Sequence, residues 1–260
     1  HPLRLRMNVE DYDKVDYAKA MEMYKDRFAD PNNFVFTFVG NIDVETFKPL
    51  VEQYLGSLKK NKRKENWSDV GLGITEGNYT THYRKEMQDP KTSVYMIYTG
   101  DMEYNLYNNI YMGILSDVLD IVYTKSIREE QGGTYGVGVM GQVNNRPSEE
   151  FMFYIVFDTN DEVYATLMDI AKAGLKDMAE NGPSQDNLNK VLENKLKKRV
   201  EQLQENSFWT SVISSLEREG IDYVTEYENI IKGVTVESVA DFAKQIVNGE
   251  LKEVVQLPAK

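Results

Sequence analysis

The sequence predicts an α+β fold in which strands and helices are mixed along the chain and helices dominate the C-terminal third. Short runs rich in aromatic and β-branched residues, bounded by turn residues, indicate strands. Apolar residues at steps of three and four, preceded by a capping side chain, indicate helices. Because 41% of the 260 residues are hydrophobic and 11% are aromatic, the chain can bury a sizeable core. We expect one large domain or two small ones.

The first 58 residues predict a helix, a strand and a second helix. Asp16 can cap a helix that runs to Phe28, and Asp43 can cap the helix that follows the strand. The strand is the run 34–39 (FVFTFV), which is apolar on both faces and would be a liability as an uncovered edge. We therefore expect it either to join a small sheet covered by the two helices or to pair with another copy in a homodimer.

Residues 59–77 predict a linker, and residues 78–260 predict a larger second domain. The linker begins with a basic run, contains three glycines and has little periodicity. Ser184 follows a Gly-Pro stop and Thr235 precedes the last helical pattern, so both are predicted helix caps. Strands are predicted at 78–84, 93–99, 134–143 and 150–159, and helices at 103–130 with one break, at 161–180 and from 184 onwards.

Composition excludes several classes of function. A formal charge of -12 opposes nucleic-acid binding, because that affinity comes largely from cationic side chains. No apolar run approaches the roughly 20 residues that a membrane-spanning helix needs. The absence of cysteine excludes disulfides, thiolate catalysis and cysteine-based metal sites. The compartment stays open, with the periplasm or cell envelope favoured over the cytoplasm.

The histidine count argues against a catalytic metal site in this chain. Only His1 and His82 are present, whereas a zinc peptidase needs two histidines one helical turn apart, as in H-x-x-E-H, and a third ligand. His82 lies in an alternating segment that is typical of a half-exposed strand. There is also no G-x-S-x-G sequence to suggest a serine nucleophile. We assign neither histidine to chemistry and predict that this chain binds no metal.

The stretch 126–139 (SIREEQGGTYGVGV) carries the strongest candidates for a functional role. Arg128 lies near the end of a predicted helix, Gly132 and Gly133 can supply a left-handed end, and Tyr135 begins the next strand. A guanidinium and a phenol placed across such a turn can donate hydrogen bonds to a peptide carbonyl or a developing oxyanion. The alternative is structural, since an arginine in a last helical turn complements the helix dipole and tyrosine is common in strands.

Three segments resemble the pitrilysin-like (insulinase-type) zinc metallopeptidases, the family with an inverted zinc motif. REEQGGTYGVGV resembles the R-E-x-x-G-x-x-Y signature of the C-terminal half of these enzymes. His1-Pro2 with the helix after it, and then DPNNFVFTFVGNID, resemble the segment that closes one domain before the next begins. The resemblance covers essentially the whole chain. It implies an antiparallel-rich mixed sheet covered by helices over 78–260, preceded by the tail of a similar domain over 1–58.

The resemblance also implies site roles. In the family, the residues matching Arg128 and Tyr135 reach across a closed chamber toward substrate held at the zinc of the other half, which implies substrate and transition-state contacts for both. Glu129, Glu130 and Gly132 match the motif without a chemical role. The zinc motif has no counterpart here, so zinc is implied in an N-terminal half or in a partner subunit. The chain begins at His1 without Met or signal peptide, and we expect it to be part of a longer protein.

The predicted function is therefore that of a substrate-binding, chamber-forming C-terminal domain of a zinc endopeptidase, inactive by itself. Its expected partners are a peptide or unfolded polypeptide substrate and the zinc-binding half. One alternative keeps the fold without the chemistry, as a non-catalytic peptide-binding or structural homologue. A second alternative is an unrelated acidic helical interaction domain, supported only by the helices of the last third.

Overall fold

The computed structural model describes residues 6–60, 66–132, 134 and 136–259, and these residues form two units. The first unit comprises His1–Leu72 and Glu205–Glu217, and the second comprises Gly73–Gln204 and Arg218–Lys260. The change from the first unit to the second falls inside the predicted linker 59–77. The predicted division at 58 and 78 assigned 205–217 to the second domain, whereas this segment clusters with the first unit.

The first unit is helical in its described part. It contains α1 (Val9–Tyr12), α2 (Tyr17–Phe28), a short 3-10 turn (Pro31–Asn33), α3 (Val44–Tyr54) and most of α7 (Asn206–Glu219). The two predicted caps are present. The Asp16 carboxylate accepts a hydrogen bond from the Lys19 amide at 3.1 Å, and that of Asp43 accepts one from the Thr46 amide at 2.8 Å. Each cap satisfies an amide that has no partner inside the helix.

The predicted strand at 34–39 is wrong. The segment has no ladder hydrogen bonds, although its backbone is extended where it begins, with Phe34 at φ -86° and ψ 136°. Burial was also expected, yet Val35 is 62% exposed and Phe38 is 50% exposed. The physical reason is that a strand exists only through pairing, and the described part of the first unit contains no second strand.

The second unit is built on a five-stranded mixed sheet in its described part. The strands are β1 (Tyr79–Lys85), β2 (Thr92–Asp101), β3 (Val137–Asn144), β4 (Glu150–Thr159) and β5 (Glu250–Pro258), in the order β1-β5-β2-β4-β3. Only β1 and β5 are parallel, and the other three pairs are antiparallel. The predicted α+β fold with an antiparallel-rich mixed sheet is confirmed.

Helices cover one face of this sheet. They are α4 (Leu106–Tyr123), continued by a π-helical turn (Thr124–Glu129), α5 (Tyr164–Asn181), α6 (Gln185–Gln202), α8 (Tyr227–Lys232) and α9 (Val236–Val247). Alternate residues of β4 point to this side and are fully or almost fully buried, namely Phe151, Phe153, Ile155 and Phe157. The core therefore lies between the sheet and α4, α5 and α9, which pack against β3 and β2.

The two predicted N-terminal caps of helices in this unit are also present. The Ser184 hydroxyl accepts a hydrogen bond from the Asn187 amide, and Thr235 forms a reciprocal capping box with Ser238. The helix predicted at 103–130 begins at Leu106 and is not broken: after Tyr123 it changes from α-helical to π-helical hydrogen bonding and continues to Glu129. No helix in the described ranges is long and apolar enough to cross a bilayer.

Candidate functional site

Arg128 lies on the π-helical turn that ends the α4 segment. The Glu130 amide donates to the Lys125 carbonyl at 3.0 Å, which is the five-residue spacing of a π-helix, and the Gly132 amide then donates to the Arg128 carbonyl at 3.1 Å. Gly132 has φ +61°, so it supplies the predicted left-handed end without a Cβ penalty. The Arg128 side chain is exposed. Single π-helical turns occur often at functional sites because they re-aim the side chains that they carry.

The predicted meeting of Arg128 and Tyr135 stays a prediction, since Tyr135 and Gly133 lie outside the described residues. The two neighbours of Tyr135 are joined to each other. The Thr134 hydroxyl donates to the Gly136 carbonyl at 2.9 Å and accepts from the Gly136 amide at 3.2 Å. The backbone on both sides of the tyrosine position is therefore held in one local arrangement, immediately before β3 begins.

The face of the sheet that points away from the helices, called here the open face, carries side chains from all five strands. Its central row is fixed by the pairing register and consists of Gly138, Val156, Tyr95, Val254 and Thr81. Tyr95 is 40% exposed and Val156 is half-buried. Met140, two residues beyond Gly138 on the same face, is 61% exposed. The open face therefore presents apolar and aromatic surface that the core does not use.

A groove of about 660 Å³ crosses one end of the open face, and we call it the open-face groove. Its lining includes Lys91, Ser93, Tyr95, Gly136, Val156 and Asp158. A second groove, of about 580 Å³, shares the Lys91, Thr134 and Asp158 lining and reaches Gly132. The segment 124–136, which carries Arg128 and joins α4 to β3, is called here the Arg128 connection. The open-face groove therefore continues toward the Arg128 connection.

The polar end of the open-face groove is held by one carboxylate. Asp158 accepts from Lys91 Nζ at 2.5 Å through one oxygen and from Ser93 Oγ at 2.6 Å through the other. Partial burial works to raise the pKa of Asp158, but the hydrogen bonds from Lys91 and Ser93 outweigh it, so the pKa is lowered. The same hydrogen bond raises the pKa of Lys91. Both groups are therefore charged around neutral pH and offset each other.

Sequence reasoning gave no binding role to the residues that line these grooves, although it named Gly132 as a helix end. Alternation in the strands places residues 93 and 95 on one face, and residues 156 and 158 on one face. The register between strands that are 60 residues apart is not visible in either segment alone. The glycines of the GVGV run were the only local sign, because glycine inside a strand often marks the close approach of another chain or a ligand.

The residues present do not fit a zinc site. His82 is exposed on β1, and its ring makes an edge contact with the ring of Tyr164 at a centroid distance of 6.0 Å. Over the described ranges, no three His, Cys, Asp or Glu side chains are grouped so that they could hold a metal ion. His1 lies outside those ranges.

Two known proteins are similar to the chain in sequence. A zinc protease PQQL-like protein of Arabidopsis thaliana is 27% identical over 216 residues, which cover 78% of this chain and 23% of that protein. The probable zinc protease PqqL of Escherichia coli K12 is 23% identical over 240 residues, or 89% of this chain and 25% of that protein. The chain thus spans about a quarter of the length of these relatives.

Solved structures share its fold. The crystal structure of the Escherichia coli periplasmic protease PqqL matches with a TM-score of 0.72 at 22% identity, covering 85% of this chain and 25% of that one. An M16-like peptidase from Alicyclobacillus acidocaldarius matches with a TM-score of 0.72 at 14% identity, covering all of this chain and 62% of that one. The family profile described as peptidase M16 inactive domain matches residues 14–195. The resemblance seen in the sequence is confirmed, and the chain belongs to the M16 (pitrilysin-like, insulinase-type) metallopeptidase family as an inactive domain.

Proposed function

We propose that this chain forms the substrate-holding wall of a zinc endopeptidase whose zinc ligands lie in an N-terminal half or a partner subunit. The observation that carries the proposal is the open-face groove, which adjoins the Arg128 connection in a domain without a zinc-ligand set among its described residues. Its relatives are named as zinc proteases, and this chain matches only about a quarter of each. The cutting chemistry is therefore assigned to the rest of such a protein.

The proposed role of the Arg128 connection is to hold the peptide and stabilise charge during cleavage. A guanidinium presents five donors in a fixed fork, and it stays protonated throughout the physiological range. The exposed Arg128 side chain is free to reach a carbonyl of a bound peptide, while Tyr135 would add a phenolic donor. Hydrogen-bond donors that point at a developing oxyanion stabilise the transition state more than they stabilise the bound substrate. Peptide backbones offer many carbonyls, so this wall would bind with little side-chain selectivity of its own.

The second candidate is a non-catalytic peptide-binding or structural homologue of the same fold. The match to an inactive domain is compatible with it, because the groove needs no zinc to hold a peptide. The compartment we propose is the cell envelope, since the Escherichia coli relative is a periplasmic protease. One measurement distinguishes the two candidates: zinc-dependent peptide cleavage by a longer protein that contains both this chain and the proposed zinc-binding half, called below the longer protein.

The test uses the longer protein with its zinc-binding half. We expect Arg128→Ala to lower kcat/KM roughly 100-fold, as loss of an oxyanion donor does, and Tyr135→Phe to lower kcat more than it raises KM. Lys125→Ala is the matched control, because it removes a cation from the same turn and should leave kcat unchanged. Bound zinc and thermal stability are measured for every variant. An unchanged kcat in both Arg128→Ala and Tyr135→Phe would assign these residues to the helix end and to packing.

A further inference from the structure

We propose that Gly138 and Tyr95 select the substrate side chain held beside the Arg128 connection, and that this side chain is large and apolar. The inference rests on the proposed function and concerns the same wall. It assigns specificity to two open-face residues that lie outside the family signature segment that ends at Tyr135. The occupant is an extended peptide whose bulky side chain lies over Gly138 and against the ring of Tyr95.

The fold does not require glycine at position 138. A Cβ built there would meet only the Val156 carbonyl oxygen, at 3.8 Å, and Gly138 does not adopt a left-handed backbone. Gly141, three residues along the same strand, is the opposite case, because its Cβ would lie 2.2 Å from the sulfur of Met112. Gly141 therefore allows α4 to pack against β3. Gly138 weakens a strand without allowing any such packing, so the room it leaves is available to a ligand.

The residues around the space above Gly138 determine which substrate side chain fits there. The pairing register places Val156 and then Tyr95 beside Gly138 in the central row. Tyr95 is 40% exposed, and an exposed aromatic ring offers a large apolar contact at little cost in side-chain freedom. Val156 supplies aliphatic surface between them. These walls favour an aromatic or long aliphatic side chain.

The two charged residues at the end of the open-face groove, Lys91 and Asp158, form an ion pair with each other. Both oxygens of Asp158 accept hydrogen bonds, one from Lys91 and one from Ser93. Lys91 and Asp158 carry opposite charges that offset each other, so this end of the groove has little net charge to attract a charged substrate side chain. The groove therefore offers little advantage to an acidic or a basic residue, and its apolar contacts come from Tyr95 and Val156. The second groove shares Lys91, Thr134 and Asp158 with the open-face groove and extends from there to Gly132.

The experiment compares peptides that differ at one position, with Ala, Leu, Phe, Lys or Glu, in the longer protein and its variants. We expect wild type to prefer Phe and Leu, and Gly138→Val to lower the Phe-to-Ala ratio of kcat/KM about tenfold, because the added side chain excludes Phe more strongly than Ala. Tyr95→Ala should lower the same ratio. Peptide affinity, measured by fluorescence anisotropy, gives the same ratio if the protein does not cleave.

Measuring the melting temperature of each variant distinguishes a change in specificity from a folding defect. Gly138→Val should leave the melting temperature unchanged or raise it, whereas Gly141→Ala should lower it without changing the Phe-to-Ala ratio. If Arg128→Ala weakens all peptides alike and Gly138→Val leaves the ratio unchanged, the inference is wrong and the proposed function stands. A preference for Lys or Glu would also overturn it. If no variant, including Arg128→Ala, changes cleavage or affinity, the proposed function itself fails.

Discussion

Asp158 and Lys91 form an ion pair of 2.5 Å on the open face, and their pKa shifts give its contribution to stability a defined pH window. The lowered pKa of Asp158 means that its contribution is present above the usual carboxyl value of 3.8 and is lost as the pH falls through the lowered pKa. The raised pKa of Lys91 means that its contribution is present below 10.5 and is lost as the pH rises through the raised pKa. Between these limits the pair stabilises the folded chain.

We expect Lys91→Met to lower the melting temperature by a small, constant amount from about pH 5 to about pH 9, since exposed pairs contribute little. The difference from wild type should shrink below the carboxyl pKa, where Asp158 becomes protonated. Asp158→Asn is the matched variant, because it removes the titrating group and should abolish that acid dependence. Thermal denaturation across pH measures both. A difference that persists unchanged at low pH would show that Lys91 acts through the packing of its aliphatic stem.

At the level of elements, the sequence was most informative where one residue determines a local structure. The caps at Asp16, Asp43, Ser184 and Thr235 follow from side chains that reach amides three residues away, and these are confirmed. The left-handed end at Gly132 was predictable for the same reason. The open-face groove was not, because it needs the register that places Val156 of β4 beside Tyr95 of β2. A local sequence pattern shows which side chains share a face of one strand, but it does not show which strands pair or in what register.

The segment 34–39 failed as a strand for a related reason. Its composition favours a strand, but composition supplies no partner, and the exposed Val35 and Phe38 remain available for pairing. We propose that the segment pairs with the same segment of another copy. This would give the isolated chain a concentration-dependent dimer.

We expect light scattering to show this dimer, and Phe36→Asp with Phe38→Asp to convert it to a monomer, because charged side chains on an edge oppose pairing. Val70→Asp is the control, since it places the same charge at an exposed apolar position outside the segment. A wild-type chain that stays monomeric at every concentration would contradict the dimer.

For the whole molecule, the proposed division of roles between this chain and a zinc-binding half can be tested directly. We expect the isolated chain to bind no stoichiometric zinc and to cleave no peptide, because His82 has no companion ligands in the described residues. Addition of the zinc-binding half should restore cleavage that a chelator abolishes. Elemental analysis and a peptidase assay measure the two. Stoichiometric zinc with chelator-sensitive cleavage by the isolated chain would refute the expectation.

The position of β5 in the sheet has a consequence for how the chain is made. β5 is the last strand in sequence but lies between β1 and β2, and Tyr79 pairs with Lys252. During synthesis, β2, β3 and β4 can associate once residue 159 has emerged, whereas β1 must wait until residues 250–258 are available. Throughout that interval the nascent chain carries an unpaired β1 and a free edge on β2. The five-stranded sheet is therefore completed only when β5, its last strand in sequence, has been made.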